Sequence, residues 1–183
     1  MNKTISTLLK TLEKTRNKFW NVTPEVGQFL NLLIKDRKYR TVLEIGTSNG
    51  YSGVWIAQAL SETNGKLHTI ESHQKERFHL ATENFKKSGL QKHIHQIAGH
   101  APEAIPLSPK YIDLAFFDAT KYEHVEYFKV LKNRIKKGGM IITDNIHSHK
   151  KELKRYLKIV KKDKSFRSFE LSLGTGLLLS YKL

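Results

Sequence analysis

Asp118, Lys121, Asp144 and Asn145 are the residues of this chain best suited by type and spacing to do chemistry. Asp118 closes an apolar run over 112–118, and Asp144-Asn145 closes another over 140–144. If those runs are neighbouring or near-neighbouring strands, two carboxylates and one amide meet at a single point. Two unpartnered carboxylates there would repel and raise one pKa; a hard cation such as Mg²⁺ relieves the conflict and keeps about half of its octahedral shell open. Zinc is disfavoured, because the chain has no cysteine and only His124 lies between Asp118 and Asp144. Lys121 follows Asp118 closely. Near a dication its ammonium is destabilised, so it can serve as a general base. The competing reading, strong in so basic a chain, is a solvated charge at a helix start.

A second constellation lies earlier. Thr41-Val42-Leu43-Glu44-Ile45 reads as a buried strand, Gly46 to Gly53 as a glycine-rich loop, and 51–60 shows helical spacing. Such a turn lets backbone N–H groups and a helix N-terminus approach a ligand closely. Gly46, Gly50 and Gly53 give G-x-x-x-G-x-x-G, whereas the dinucleotide fingerprint is G-x-G-x-x-G. Glu44 in the strand end would serve a pyrophosphate poorly. A ligand carrying an ammonium, a sulfonium and a ribose suits it better, and S-adenosylmethionine is one. Glu71, ending a run over 67–71, can accept hydrogen bonds from both ribose hydroxyls. Alternatively it caps the helix expected from Gln74.

The elements that must position these residues alternate regularly. Strand-like runs fall at 67–71, 93–98, 112–118, 140–144, 165–171 and 177–182, with helix-like patterns over 74–88, 122–136 and 148–161. The β-α repetition predicts a mostly parallel sheet with helices on both faces. The last two strands are separated only by 172–176, too short for a helical crossover, so an antiparallel hairpin is expected. Seven strands with such a final hairpin is the α/β, Rossmann-like architecture of class I S-adenosylmethionine-dependent methyltransferases. In these sheets ligands bind beyond the carboxyl ends of the strands, where Glu44 to Gly46, Glu71, Gly99-His100, Asp118 and Asp144-Asn145 all fall. His93 and His95 alternate in a strand and are expected to be exposed on one face; Tyr122, Tyr127 and Phe128 read as packing residues.

On these motifs the chain resembles a known family. Leu43 to Ser52, Phe117-Asp118-Ala119-Thr120-Lys121, Ile142-Thr143-Asp144-Asn145 and the preceding Thr23 to Leu30 are similar to the motifs of the cation-dependent O-methyltransferases, which include catechol and caffeoyl-coenzyme A O-methyltransferases and bacterial relatives. The resemblance covers residues 21–183. It implies that Glu44, Gly46 and Ser52 hold the methionine part of S-adenosylmethionine and that Glu71 binds the ribose. It further implies that Gly99-His100 and Asp118 border the rest of the cofactor, with His100 standing where relatives carry an acid for the adenine. Asp118, Asp144 and Asn145 would hold Mg²⁺ or another hard dication, and Lys121 would be the base. The implied chemistry is in-line methyl transfer to an acceptor whose two vicinal oxygens chelate the metal. Relatives also carry an insertion after Asp144-Asn145 that helps to wall the acceptor pocket. This chain enters a basic helix instead, so an open acceptor site is expected, with His147 and His149 within possible reach of it.

Composition frames the alternatives. The 183 residues carry a net charge of +15 and suffice for one domain with a real core. Residues 1–40 form a basic helical segment with nine Lys/Arg against three acids. Residues 41–183 form the Rossmann-like core, whose part over 41–146 is near neutral with thirteen against eleven, while 147–183 has ten against three. These flanks are either solvated helix faces or a surface for RNA or another polyanion. Absent cysteine fits a reducing, cytoplasmic setting, and no apolar run approaches the roughly 20 residues of a membrane helix. Residues 2–18 read as an amphipathic first helix rather than a transit peptide. The expected function is methylation of a small, catechol-like molecule with vicinal oxygens. The rivals are methylation of a hydroxylated uridine in transfer RNA and a non-catalytic S-adenosylmethionine-binding role. A homodimer is a further expectation.

Overall fold

The structure is a computed structural model that describes residues 3–73 and 75–183. Strands β1 (Thr41–Ile45), β2 (Lys66–Glu71), β3 (Ile94–Ala98), β4 (Ile112–Phe117), β5 (Ile135–Thr143), β6 (Phe166–Leu171) and β7 (Leu177–Lys182) form one sheet in the order β3-β2-β1-β4-β5-β7-β6. β1 to β5 run parallel to one another, whereas β7 lies antiparallel between β5 and β6. The expected hairpin is therefore present, and its second strand inserts beside β5. β1 is followed outward by β2 and β3, and the chain then returns to place β4 on the other side of β1. That reversal opens a crevice between the carboxyl ends of β1 and β4.

Each face of the sheet has its own apolar layer. On one, α1 (Lys3–Glu13), α3 (Pro24–Asp36), α4 (Tyr51–Thr63) and α5 (Arg77–Ser88) bury Ile5, Leu9, Val26, Leu30, Ile56 and Phe85. On the other, α6 (His124–Leu131) and α7 (Lys150–Lys162) bury Val125, Phe128, Leu153 and Tyr156 against Leu43, Ala115 and Ile141. Each large side chain so buried stabilises the fold by about 1.5–3 kcal/mol before entropy is counted. α4 is buried from Tyr51 to Leu60 because α3 covers the side the sheet does not. Thr23 starts α3 by accepting the Val26 N–H, with Pro24 at the first helical position. The basic N-terminal segment also supplies α2 (Arg16–Phe19), a single turn ending at Trp20.

Two expectations change. The helix expected over 122–136 is only α6, preceded by a 3-10 turn at Lys121–Glu123, and β5 begins at Ile135 rather than at 140. Ile112 pairs with Ile135 and Leu114 with Met140, so the intervening basic and glycine residues bulge out of the ladder; their charge had looked like a helix continuing. His93 is buried in a 3-10 turn, its ring nitrogen bonding the Gly65 carbonyl at 3.0 Å, and is not an exposed strand residue. α5 is observed from Arg77; its expected start at Gln74 lies outside the described residues.

Candidate active site

The crevice at the β1/β4 reversal is a cleft of about 1040 Å³. Gly46, Ser52, Glu71, Gly99, His100, Asp118, Lys121 and Asn145, all named above from sequence, line it. The loop that shapes it depends on glycine. Gly46 has φ +105°, and a Cβ there would stand 2.4 Å from the Asp118 carbonyl oxygen. Backbone from β1 and β4 can therefore meet only if residue 46 carries no side chain. Gly50, at φ +85°, then opens α4 where Phe85 leaves no room for a Cβ.

Glu44 is fully buried and does not reach the cleft. The resemblance implied a place for Glu44 among the ligand-holding residues; in the structure its carboxylate meets neighbouring hydroxyls. The Ser52 hydroxyl donates to one carboxylate oxygen at 2.5 Å and the Thr69 hydroxyl to the other at 2.6 Å. Thr69 has then spent its proton, so Thr47, 2.5 Å away, donates to it. While ionised, Glu44 thus turns the oxygens of Ser52 and Thr47 into acceptors facing the cleft. Burial raises its carboxyl to about 7 against those two donors.

Glu71 holds the loops on either side of it. One oxygen accepts the Ser48 N–H and the other the His73 N–H, each at 2.8 Å, and the residue is buried at the cleft wall. Glu71 lines the space, and the amides it accepts from are those of Ser48 and His73 rather than those of the first turn of α5, whose expected start at Gln74 lies outside the described residues. His100 turns to Glu123 at 2.8 Å across the rim.

At the opposite side, β4 and β5 are direct neighbours, with Phe117 beside Thr143, so Asp118 and Asp144 leave adjacent strand ends. Asp118 Oδ1 accepts from Lys121 Nζ at 2.8 Å. Asp144 Oδ1 accepts from the Asn145 N–H and from Thr175 Oγ1 at 2.8 Å, and Asn145 Nδ2 donates to the same Thr175 oxygen at 2.9 Å. Burial, followed by the charge of Asp118, pushes Asp144 up to about 7. Burial also raises Asp118, opposed by Lys121 and His149. Among the described residues, Asp118 Oδ2, Asp144 Oδ2 and Asn145 Oδ1 have no hydrogen-bond partner, and no third carboxylate or imidazole joins them. One buried and one half-buried carboxylate that repel each other, with an amide oxygen, are a fitting donor set for a hard dication.

Several contributors had no sequence signal. Thr175 sits in the β6–β7 turn, marked only by flanking Gly174 and Gly176. The N-terminal segment also contributes to the lining: the Ser48 hydroxyl donates to the Phe19 carbonyl at 2.8 Å, and Arg16, Phe19 and Trp20 line the cleft. His149 lines it too; His147 instead packs against Gly176 and faces Glu170.

A doubly wound sheet with a glycine loop at its reversal point and carboxylates on three strand ends defines a nucleoside-cofactor enzyme of the class I methyltransferase type. Comparison with known proteins narrows this. The sequence profile of the O-methyltransferase family matches residues 2–183, and the chain belongs to that family. It is 33% identical over 130 residues to a catechol O-methyltransferase of Niastella koreensis, covering 69% of this chain and 58% of that protein. It is 32% identical over 126 residues to a catechol O-methyltransferase of Mycobacterium tuberculosis, covering 68% and 56%. The chain thus spans less than three fifths of the length of these relatives. An O-methyltransferase from Bacillus cereus in complex with SAH shares the fold over all of this chain and 92% of its own, with a TM-score of 0.87 at 22% identity. No helix among the described residues is long and apolar enough to cross a membrane.

Proposed function

We propose that the chain is a single-domain, S-adenosylmethionine- and divalent-metal-dependent O-methyltransferase whose acceptor is a small molecule with two vicinal oxygens. The observation that carries this is the trio of unpartnered oxygens on Asp118, Asp144 and Asn145 beside the Gly46 loop. Those three residues would hold the metal. Ser52, with Glu44 behind it, Thr47 and the Gly46 backbone would take the methionine end of the cofactor, and Glu71 the ribose. Bound there, the cofactor supplies an electrophilic methyl group and the dication a Lewis acid and template for the acceptor oxygens.

The chain's own groups do the rest. Asp118, Asp144 and Asn145 would hold the dication on one side, leaving its other positions for the two acceptor oxygens. Lys121 would leave its ion pair with Asp118, give its ammonium proton to water, and as the neutral amine take the proton that the attacking oxygen loses. Phe19 would cover part of the cleft beside the Ser48 loop, whose serine hydroxyl its carbonyl accepts.

The test uses a labelled methyl donor, a catechol panel and Mg²⁺. Transfer should stop with a chelator and return with excess Mg²⁺, while calorimetry shows cofactor binding unchanged. Asp118→Ala and Asp144→Ala should lose turnover and keep cofactor affinity. Transfer indifferent to chelation refutes the metal assignment; cofactor binding with no transfer to any acceptor favours the non-catalytic reading.

A further inference from the structure

A parallel sheet covered on both faces reads as near-continuous apolar runs, and β2 and β3 break that rule at one place. His68 of β2 stands directly beside His95 of β3 in the register of the two strands. Strand alternation puts the pair on the face of Ile70 and Ile97, which belong to the apolar layer under α6 and α7. On the other side of His68, the β1 neighbour is Leu43. β3 is the outer strand of the sheet; His95 is exposed and His68 half-buried. Neither lines the cleft.

The two rings meet through the same atom. His68 Nδ1 and His95 Nδ1 lie 3.3 Å apart, with ring centroids 5.3 Å apart and planes at 74°. Without a metal this contact is a hydrogen bond, one ring donating its Nδ1 proton to the other. Two imidazole nitrogens bound to one ion at about 2.05 Å stand about 3.35 Å apart at the tetrahedral angle and about 2.9 Å apart at a right angle. The observed spacing is the bite of a tetrahedral ion, so seating one needs no movement of the strands. Burial, then the adjoining His95 and the ammonium of Lys66 on the same face, bring His68 down to about 4 and keep its ring neutral at physiological pH, as a metal ligand must be. His93, two residues before His95, is committed elsewhere, its Nδ1 bonding the Gly65 carbonyl at 3.0 Å. Among the described residues no third histidine, aspartate or glutamate joins the pair, so water would complete the shell. Imidazole donors in a tetrahedral array suit Zn²⁺ and not Mg²⁺, which takes oxygen in an octahedron.

We propose that His68 and His95 form a surface site for Zn²⁺, apart from the active centre, that clips the outer strand β3 to β2. From two neutral rings, binding takes no proton off the pair: both adopt the Nε2–H tautomer, and each gives its Nδ1 lone pair to the ion.

The test titrates metal-free protein with Zn²⁺ in excess Mg²⁺ by calorimetry and follows the imidazole nitrogen signals by NMR. The wild type should bind one Zn²⁺ per chain, with the Nδ1 signals of His68 and His95 shifting together, and its thermal midpoint should rise with Zn²⁺ concentration. His95→Gln, at an exposed position, should weaken binding at least about tenfold, since even the loss of a group behind a metal ligand costs about 10–100-fold. It should also abolish the rise in midpoint, and His68→Gln should behave alike. Asp144→Ala should keep the wild-type affinity for Zn²⁺. A His95→Gln protein that binds Zn²⁺ as tightly as the wild type, or signals that move only at His147 and His149, overturns the site and leaves the ring contact a hydrogen bond. Zinc binding lost in Asp144→Ala assigns the ion to the active centre and overturns it equally. A wild-type midpoint unmoved at saturating Zn²⁺ overturns the clip between the strands.

Discussion

Replacing Thr175 by valine removes one hydroxyl and almost no volume. That hydroxyl donates to Asp144 Oδ1 at 2.8 Å and accepts from Asn145 Nδ2 at 2.9 Å. A hydrogen bond to a charged group is worth about 1.5–3 kcal/mol, and one to a neutral group about 1 kcal/mol. The difference between those values, about 1–2 kcal/mol, acts only when Asp144 is ionised, so Thr175→Val should raise the Asp144 pKa from about 7 by about one unit. The sign follows from linkage. Asp144 is already raised in the folded state, so its contribution to stability is full below about pH 4 and is lost as pH rises towards 7. In the variant that loss continues to about pH 8. Urea unfolding of metal-free protein should show a destabilisation of about 1–2 kcal/mol at pH 5, growing by about 1.4 kcal/mol by pH 9. Under the proposed function a dication on Asp144 would compete with the same proton, so the Mg²⁺ concentration needed for half-maximal methyl transfer at pH 7 should rise several-fold and recover at higher pH. A destabilisation that is flat with pH would falsify the claim that Thr175 supports the ionised form of Asp144.

Gly46→Ala should destabilise the fold by about 2–4 kcal/mol in the same assay, because the added Cβ meets backbone at 2.4 Å in a left-handed conformation. Wild-type Glu44, raised to about 7, gives up about 3 kcal/mol of stability between pH 4.5 and 7. Glu44→Gln should remove that part of the pH slope, and identical slopes in the two proteins would contradict the burial argument. Glu71→Ala takes the acceptor from the Ser48 and His73 amides. Calorimetry should show cofactor affinity falling at least about tenfold, with turnover at saturation affected less; a change in turnover alone would argue against the ribose role.

Much of the site was legible because its parts are local in sequence. An apolar run that stops at a carboxylate announces a strand end, whatever the strand packs against, and Gly46 to Gly53 announces a loop that needs space. The boundary errors arose where charge imitated a different element: Lys132 to Lys137 extends a helical pattern, yet 132–134 form a turn and Lys136-Lys137 bulge within β5. His93 looked exposed because its neighbours are polar, and only the fold brings the Gly65 carbonyl to its ring.

The chain's order of residue types alone determined the sheet class, the hairpin at its end, the glycine loop and the identity of the acids at the strand ends, since each depends on periodicity or on chain stereochemistry. Tertiary structure decided which of those acids face the cleft. Glu44 turns inward to Ser52 and Thr69, Asp118 meets Asp144 only because β4 and β5 pair, and Thr175 arrives from the far hairpin to hold Asp144 and Asn145. These are contacts between residues more than twenty positions apart or across strands, apart from the Glu44–Ser52 bond, and local pattern carries no information about them until the sheet order sets who stands beside whom.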